Sequence, residues 1–261
     1  MNWYRLKKRL LWPYICCRRW RERGQSGFMR AALELHYYRP TFYRFIAASI
    51  DNPDIMYEAP LEHGGIALDV GAYHGDWAAR VYEKYQARIY AFEPDPPSIA
   101  FLRQRFAAVP NIRCLPFGLG GEDARLSMIQ RGMGSTLYEV DTGAPQRTGG
   151  VEERVDVQVR DIVGLLDELG HADIDIIKLN IEGAEYALLE RLMSAGRLGQ
   201  IRVYTIQFHE WHSGAHSRRR RIQRELARTH DKVWDYPFVW EQWVRRQSAR
   251  GLESAVPVPR A

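Results

Sequence analysis

From Ile66 onward the chain alternates short apolar runs with longer stretches of helical period. The apolar runs at 66–71, 87–92, 111–117, 155–160, 174–181 and 201–208 are too short for helices and rich in β-branched residues, so they are predicted to be strands. Between them, Asp76–Tyr85, Pro97–Ala107, Asp161–Leu169, Ala184–Ala195 and Ser217–Thr229 carry the spacing of amphipathic helices. Near-continuous apolar strands separated by helices imply a mostly parallel sheet covered on both faces, an α/β fold. Gly118–Gly150, rich in glycine, reads as a connection long enough to be an active-site loop. Lys232–Trp243 is aromatic and alternating, and suits an antiparallel edge with Pro237 at an edge or bulge position. No internal repeat is visible.

Residues 1–60 follow a different pattern. They are rich in Trp, Tyr, Arg and Leu and broken by Pro13, Gly24, Gly27 and Pro40, which predicts a basic helical extension. The expected organisation is an extension over 1–60, a catalytic domain over 61–250 and a loose tail over 251–261. The overall charge of +5 is uneven. Residues 1–30 hold nine cations against Glu22 alone, a net +8, which leaves −3 for the remainder. A basic core that binds nucleic acid is therefore not expected. Trp3, Leu6, Leu10, Tyr14 and Cys17 recur at helical spacing among Lys and Arg. Residues 1–24 could thus lie on an anionic membrane surface or cap the domain. The apolar run Leu10–Cys17 contains Pro13, is too short to span a bilayer and makes a poor signal peptide. Three cysteines, two of them adjacent, form neither a disulfide framework nor a zinc spacing. The expected setting is cytoplasmic, with peripheral contact at the inner face of a membrane as an option and homo-oligomers open.

Chemistry concentrates at the ends of the predicted strands. Ile66–Trp77 reads as a strand, a glycine turn at Gly71 and Gly75, and a helix start; Glu93-Pro94 closes the next strand 22 residues after Gly71. A carboxylate there is placed to accept hydrogen bonds from ribose hydroxyls. The spacing Gly71-x-x-x-Gly75 is not the G-x-G-x-x-G that cradles a pyrophosphate. Asp69 and Asp76 would repel one but attract the cationic end of S-adenosyl-L-methionine (SAM). SAM is therefore preferred to NAD, with Asp69, Gly71, Ala72, Tyr73, Gly75, Glu93 and Pro94 as cofactor-binding candidates. A turn that merely packs strand on helix is the plainer alternative.

The later strands end in Asn180-Ile-Glu182-Gly-Ala-Glu185 and in His209-Glu210-Trp-His212. Lys178 and Asn180 are polar within an apolar run and require partners. Glu185 alone could be no more than favourable charge at a helix start. His209 titrates near neutral pH and suits a general base, although it could equally be a structural hydrogen-bonding residue.

Leu68-Asp-Val-Gly-Ala-Tyr-His-Gly75, Ala91-Phe-Glu-Pro94 and Lys178-Leu-Asn-Ile-Glu-Gly-Ala-Glu185 together resemble the FkbM family of SAM-dependent methyltransferases in residues, order and spacing. The resemblance spans about Ile66–Trp211. It implies a class I methyltransferase fold, with a seven-stranded sheet whose last strand is antiparallel. It also implies methylation of hydroxyl oxygens of sugars, polyketides and related small molecules. This chain carries Asn180 where the family usually has Asp. Asn cannot take a full proton or bind a divalent cation strongly, so no metal is expected and the base role moves to His209, Glu182 or Glu210. The reading is a SAM-dependent O-methyltransferase acting on a small molecule or glycan. Asn180 serves both cofactor and catalysis, His209 and Glu182 are catalytic, and Glu182, Glu185 and Glu210 line the acceptor site. A catalytically silent scaffold or partner subunit, or an NAD- or nucleotide-sugar-dependent enzyme, are the alternatives.

Overall fold

The computed structural model describes residues 41–129, 154–211 and 213–246. The chain divides into two compact units, Met1–Met56 and Tyr57–Ala261. In the first, helix α1 occupies residues 41–51. The arm of residues 1–24, the greater part of the connection predicted for Gly118–Gly150, and the tail from Gly251 lie outside the described residues.

In the second unit, strands β1 (Ile66–Val70), β2 (Arg88–Phe92), β3 (Ile112–Leu115), β7 (Ile174–Leu179), β8 (Ile201–Ile206), β9 (His230–Tyr236) and β10 (Trp240–Arg245) form one sheet. Its order is β3-β2-β1-β7-β8-β10-β9, with every pair parallel except the two involving β10. This is the class I methyltransferase topology, with the antiparallel strand expected at the aromatic end of the chain.

Alternate residues of the central strands feed two separate cores. Leu68, Val70, Tyr90, Phe92, Ile177, Leu179, Tyr204 and Ile206 pack under α4 (Ile162–Leu169), α5 (Glu185–Ser194) and α6 (Ala215–Leu226). On the other face, Ala67, Ile89, Ala91, Ile176 and Val203 pack under α2 (Asp76–Tyr85) and α3 (Pro96–Arg105). Both faces of each strand are buried, which is why these strands are apolar throughout rather than alternating.

Two expectations need correction. Residues 155–160 do not join the main sheet. Strand β6 (Arg154–Asp161) lies between β4 (Gly118–Gly120) and β5 (Ala124–Ile129) in a separate three-stranded sheet, so the predicted connection begins with two strands. β6 still delivers the chain to α4, whose first turn is capped by Asp161. Pro237 lies in the turn between β9 and β10, not at an edge or bulge position. The irregularity falls at Gln242/Trp243, where Val233 has no opposite residue; Lys232 and Asp235 thereby come to share one face. Among the described residues no helix is long and apolar enough to cross a membrane.

Candidate functional site

Strand order reverses between β1 and β7, since β1 continues to β2 on one side and β7 to β8 on the other. A crevice at the carboxyl ends of such strands is where an α/β sheet holds its ligand. Asp69, Gly71, Glu93, Asn180, Glu182 and His209 all lie at or just beyond these ends.

The turn after β1 is fixed from inside. Gly71 has φ +77°, and a Cβ there would meet the Asn180 carbonyl oxygen at 2.1 Å. Gly75, at φ +77°, opens α2, and its Cβ would run into Phe106 and Leu102. Both positions therefore demand glycine for packing within the protein, before any ligand approaches. The Gly71 and Ala72 amides donate to the Phe92 carbonyl, Tyr73 N–H donates to Glu93 Oε2 at 2.7 Å, and Gly75 N–H to the Ala72 carbonyl. Four of the five amides of residues 71–75 are thus spent on the protein. A dinucleotide site leaves such groups free for phosphate oxygens, so this turn is not one.

Glu93 is buried at the tip of β2, and its second oxygen accepts the Asp95 amide at 3.0 Å. Burial raises its pKa, against the lowering effect of those two amides. Each carboxylate oxygen retains a lone pair beyond the one it uses, which suits two vicinal hydroxyls. Beside it Tyr73, at φ +49°, stacks on His74 with centroids 3.7 Å apart, and His74 contacts Phe101 on α3. The sequence offered no signal for this aromatic stack. Pro94 follows Glu93 and leads into α3, which Asp95 caps through Ser98.

Asp69 has no exposed surface, and Lys178 on the adjacent strand donates to its Oδ1 at 3.0 Å and to the Gly71 carbonyl at 2.6 Å. Asp69 and the Gly71 carbonyl are the partners that Lys178 required. Asp76 is likewise matched, by Arg105 at 2.6 Å. The charge that was to attract a cationic ligand is therefore largely compensated in both cases. Two acceptors stay open: Asp69 Oδ2 and Asn180 Oδ1 are buried, sit at the ends of neighbouring strands and have no hydrogen-bond partner among the described residues. Buried acceptors of this kind call for a donor. The ammonium group of SAM is one, while its ribose suits Glu93, so the residues present fit that cofactor.

On the β7–β8 side, Glu185 has no exposed surface. Its Oε1 accepts from both the amide and Nδ1 of His209, at 2.8 and 2.9 Å, and its Oε2 accepts the Gly183 amide at 2.9 Å. Both Glu185 oxygens are thus engaged by the protein itself. His209 is buried, with Nε2 turned towards Glu182 Oε2 at 3.6 Å. Burial disfavours the imidazolium, but the charge and hydrogen bond of Glu185, aided by Glu182, outweigh it and raise the His209 pKa. Glu182, at φ +53°, is itself raised by burial, with His209 opposing. Tyr186 Oη donates to the His209 carbonyl at 2.9 Å, and the exposed ring of Trp211 lies 4.5 Å from the imidazole. Glu210 turns instead to His216, 2.8 Å away.

Residues 69–246 match the Methyltransferase FkbM domain. The chain belongs to the FkbM methyltransferase family. An FkbM methyltransferase takes its methyl group from SAM, the cofactor that the open acceptors and Glu93 suit. Curated proteins include no match to the sequence. Among solved structures, a proposed rRNA methylase from Clostridium thermocellum is 8% identical, with a TM-score of 0.47 over 78% of this chain and 97% of its own. A proposed methyltransferase from Streptococcus mutans in complex with SAH is 10% identical, with a TM-score of 0.45 over 76% and 97%. Aeropyrum pernix fibrillarin with bound SAM is 12% identical, with a TM-score of 0.40 over 77% and 74%.

Proposed function

We propose that this FkbM methyltransferase is an O-methyltransferase that methylates a hydroxyl of a small molecule or glycan. The observation that carries the reading is His209: a buried imidazole held at Nδ1 by a fully buried carboxylate, with Nε2 turned to Glu182 Oε2 at 3.6 Å, too far for a hydrogen bond. An alcohol must lose its proton as it attacks, whereas a carboxylate or thiolate acceptor has none to lose. Glu185 accepting at Nδ1 selects the tautomer whose Nε2 carries a lone pair, as an orienting carboxylate does for any imidazole base.

When bound, SAM supplies an electrophilic methyl group; the protein supplies position and a proton acceptor. Glu93 would hold the ribose hydroxyls, and Asp69 Oδ2 with Asn180 Oδ1 the amino group. His209 Nε2 would take the hydroxyl proton, and Glu182 beside it would stabilise the imidazolium that results. Trp211 would offer a flat apolar surface to the acceptor. Proton removal of this kind contributes on the order of 10²–10⁴-fold to rate.

The test is transfer of isotopically labelled methyl from SAM to a panel of hydroxyl-bearing sugars and small alcohols, with carboxylic acid and amine analogues alongside. Label that enters the hydroxyl compounds and survives mild alkali is an ether, as expected. Label released as methanol by alkali is an ester, and that result, or transfer confined to amines, overturns the reading.

A further inference from the structure

A second cavity, of about 780 Å³, lies along α6 and the outer strands β9 and β10. It shares no lining residue with the crevice, and its wall residue His230 has Nε2 2.9 Å from the carbonyl of Ile201, which begins β8, so the groove reaches the opposite edge of the sheet. Its size is that of a small-ligand site. Its lining is strongly cationic, with Arg220, Arg224, Lys232 and Arg246 against Asp231.

The arginines of α6 explain what is unusual about it. Arg218 and Arg221 share Glu190, and Arg219 is clamped by Asp235 and Glu241. The remaining two, Arg220 and Arg224, are exposed, have no carboxylate partner among the described residues, and both line the groove. They stand one helical turn apart, about 6 Å along the axis. Arg246 is fixed by Asp231 at 2.8 Å, and Lys232 by Asp235 at 2.8 Å and over the Trp243 ring at 5.4 Å. Two held cations and two guanidiniums with no carboxylate partner among the described residues thus line one groove. A planar guanidinium is best satisfied by a two-pronged oxyanion, and two of them at this spacing match linked phosphates better than a single small anion.

We infer that this groove binds a diphosphate group, free or esterified, at a site independent of the methyl-transfer crevice. The test is calorimetric titration of the full chain with inorganic pyrophosphate and with a nucleoside diphosphate, at about 0.15 M salt. Two double variants accompany it: R220Q/R224Q removes the free pair, and R125Q/R228Q removes the same charge from exposed positions outside the groove. The expected result is saturable binding that weakens about tenfold or more in R220Q/R224Q and less than about twofold in R125Q/R228Q. SAM affinity should be equal in all three proteins, which shows that the fold is intact and keeps this outcome separate from any failure of the methyltransferase reading. No binding of either anion by the parent overturns the proposal, as does an equal loss in both variants, which is attraction to net charge alone. Flotation with anionic vesicles in the absence of soluble diphosphate binding overturns it in favour of a membrane contact.

Discussion

Glu185 and His209, 24 residues apart, meet as a carboxylate with no exposed surface and an imidazole whose Nδ1 lies 2.9 Å away. One residue opens α5 and the other follows β8, so the contact joins two adjacent crossovers at the carboxyl edge of the sheet. The same carboxylate also holds the amides of Gly183 and His209. It therefore fixes the backbone on both sides of the crevice as well as the histidine tautomer.

Glu185→Gln keeps the size of the side chain, removes its charge and replaces one of its two accepting oxygens with a donor. The His209 pKa should fall, because the largest effect raising it is gone. We expect kcat to drop by on the order of 10²-fold with KM for SAM little changed, and the acidic limb of the pH–rate profile to move to lower pH. A uniform rate loss with an unmoved profile would mean that Glu185 only supports the fold.

Glu93→Ala should weaken SAM binding by about tenfold or more, about 1.4 kcal/mol, measured by calorimetry. It should also cost stability. The residue is not a free side chain at a strand tip, since it accepts the amides of Tyr73 and Asp95 in a buried setting. Leaving those donors unmade costs roughly 1–3 kcal/mol, so chemical denaturation should show a lowered midpoint. Unchanged cofactor affinity would remove Glu93 from the site.

How far the sequence could be read depends on whether a residue's partner is local. The glycine turn, the strand tips and the three motifs were legible because each sits within one strand–turn–helix unit. The main sheet followed from its near-continuous apolar strands, whereas β6 alternates apolar and polar residues, the pattern of a strand with one face outside the core, and belongs to a second sheet. That alternation was the local signal of its different destination. The pairing of Lys178 with Asp69 spans 109 residues and compensates the apparent charge of the turn, which sequence spacing could not reveal. Glu185 was read from its motif as an acceptor-site residue, and its bonds to Gly183 and to His209, 24 residues on, are visible only in the fold.

Lys178→Met tests that long-range pair. It leaves the Asp69 charge buried and unmatched, and the expected loss is about 3–5 kcal/mol in chemical denaturation. The double variant K178M/D69N should recover a substantial part of it, because the remaining amide carries no charge to strand. If the double variant is as unstable as the sum of the single ones, the pair is not coupled.

The last expectation concerns pH and links stability to catalysis through one group. His209 has a folded-state pKa above the ordinary value of 6.5, because Glu185 and Glu182 favour the imidazolium more strongly than burial opposes it. A raised pKa means that the folded protein holds this proton more tightly than the unfolded chain does. The stabilising contribution is therefore fully present below about pH 6.5 and is lost as pH rises through the folded pKa. Methyl transfer requires the opposite form, since only the neutral imidazole can accept the hydroxyl proton. Over the same interval, turnover should rise while this contribution to stability falls. Comparing the melting temperature of the parent with that of His209→Gln across pH 6–9, about the range set by the reference pKa, isolates the effect from every other titrating group. The gap between the two proteins should narrow as pH rises, and the parent's rate should climb as it does. A gap that stays constant across the range would show that folding leaves the proton affinity of His209 unchanged, and the carboxylates around it would then need another explanation.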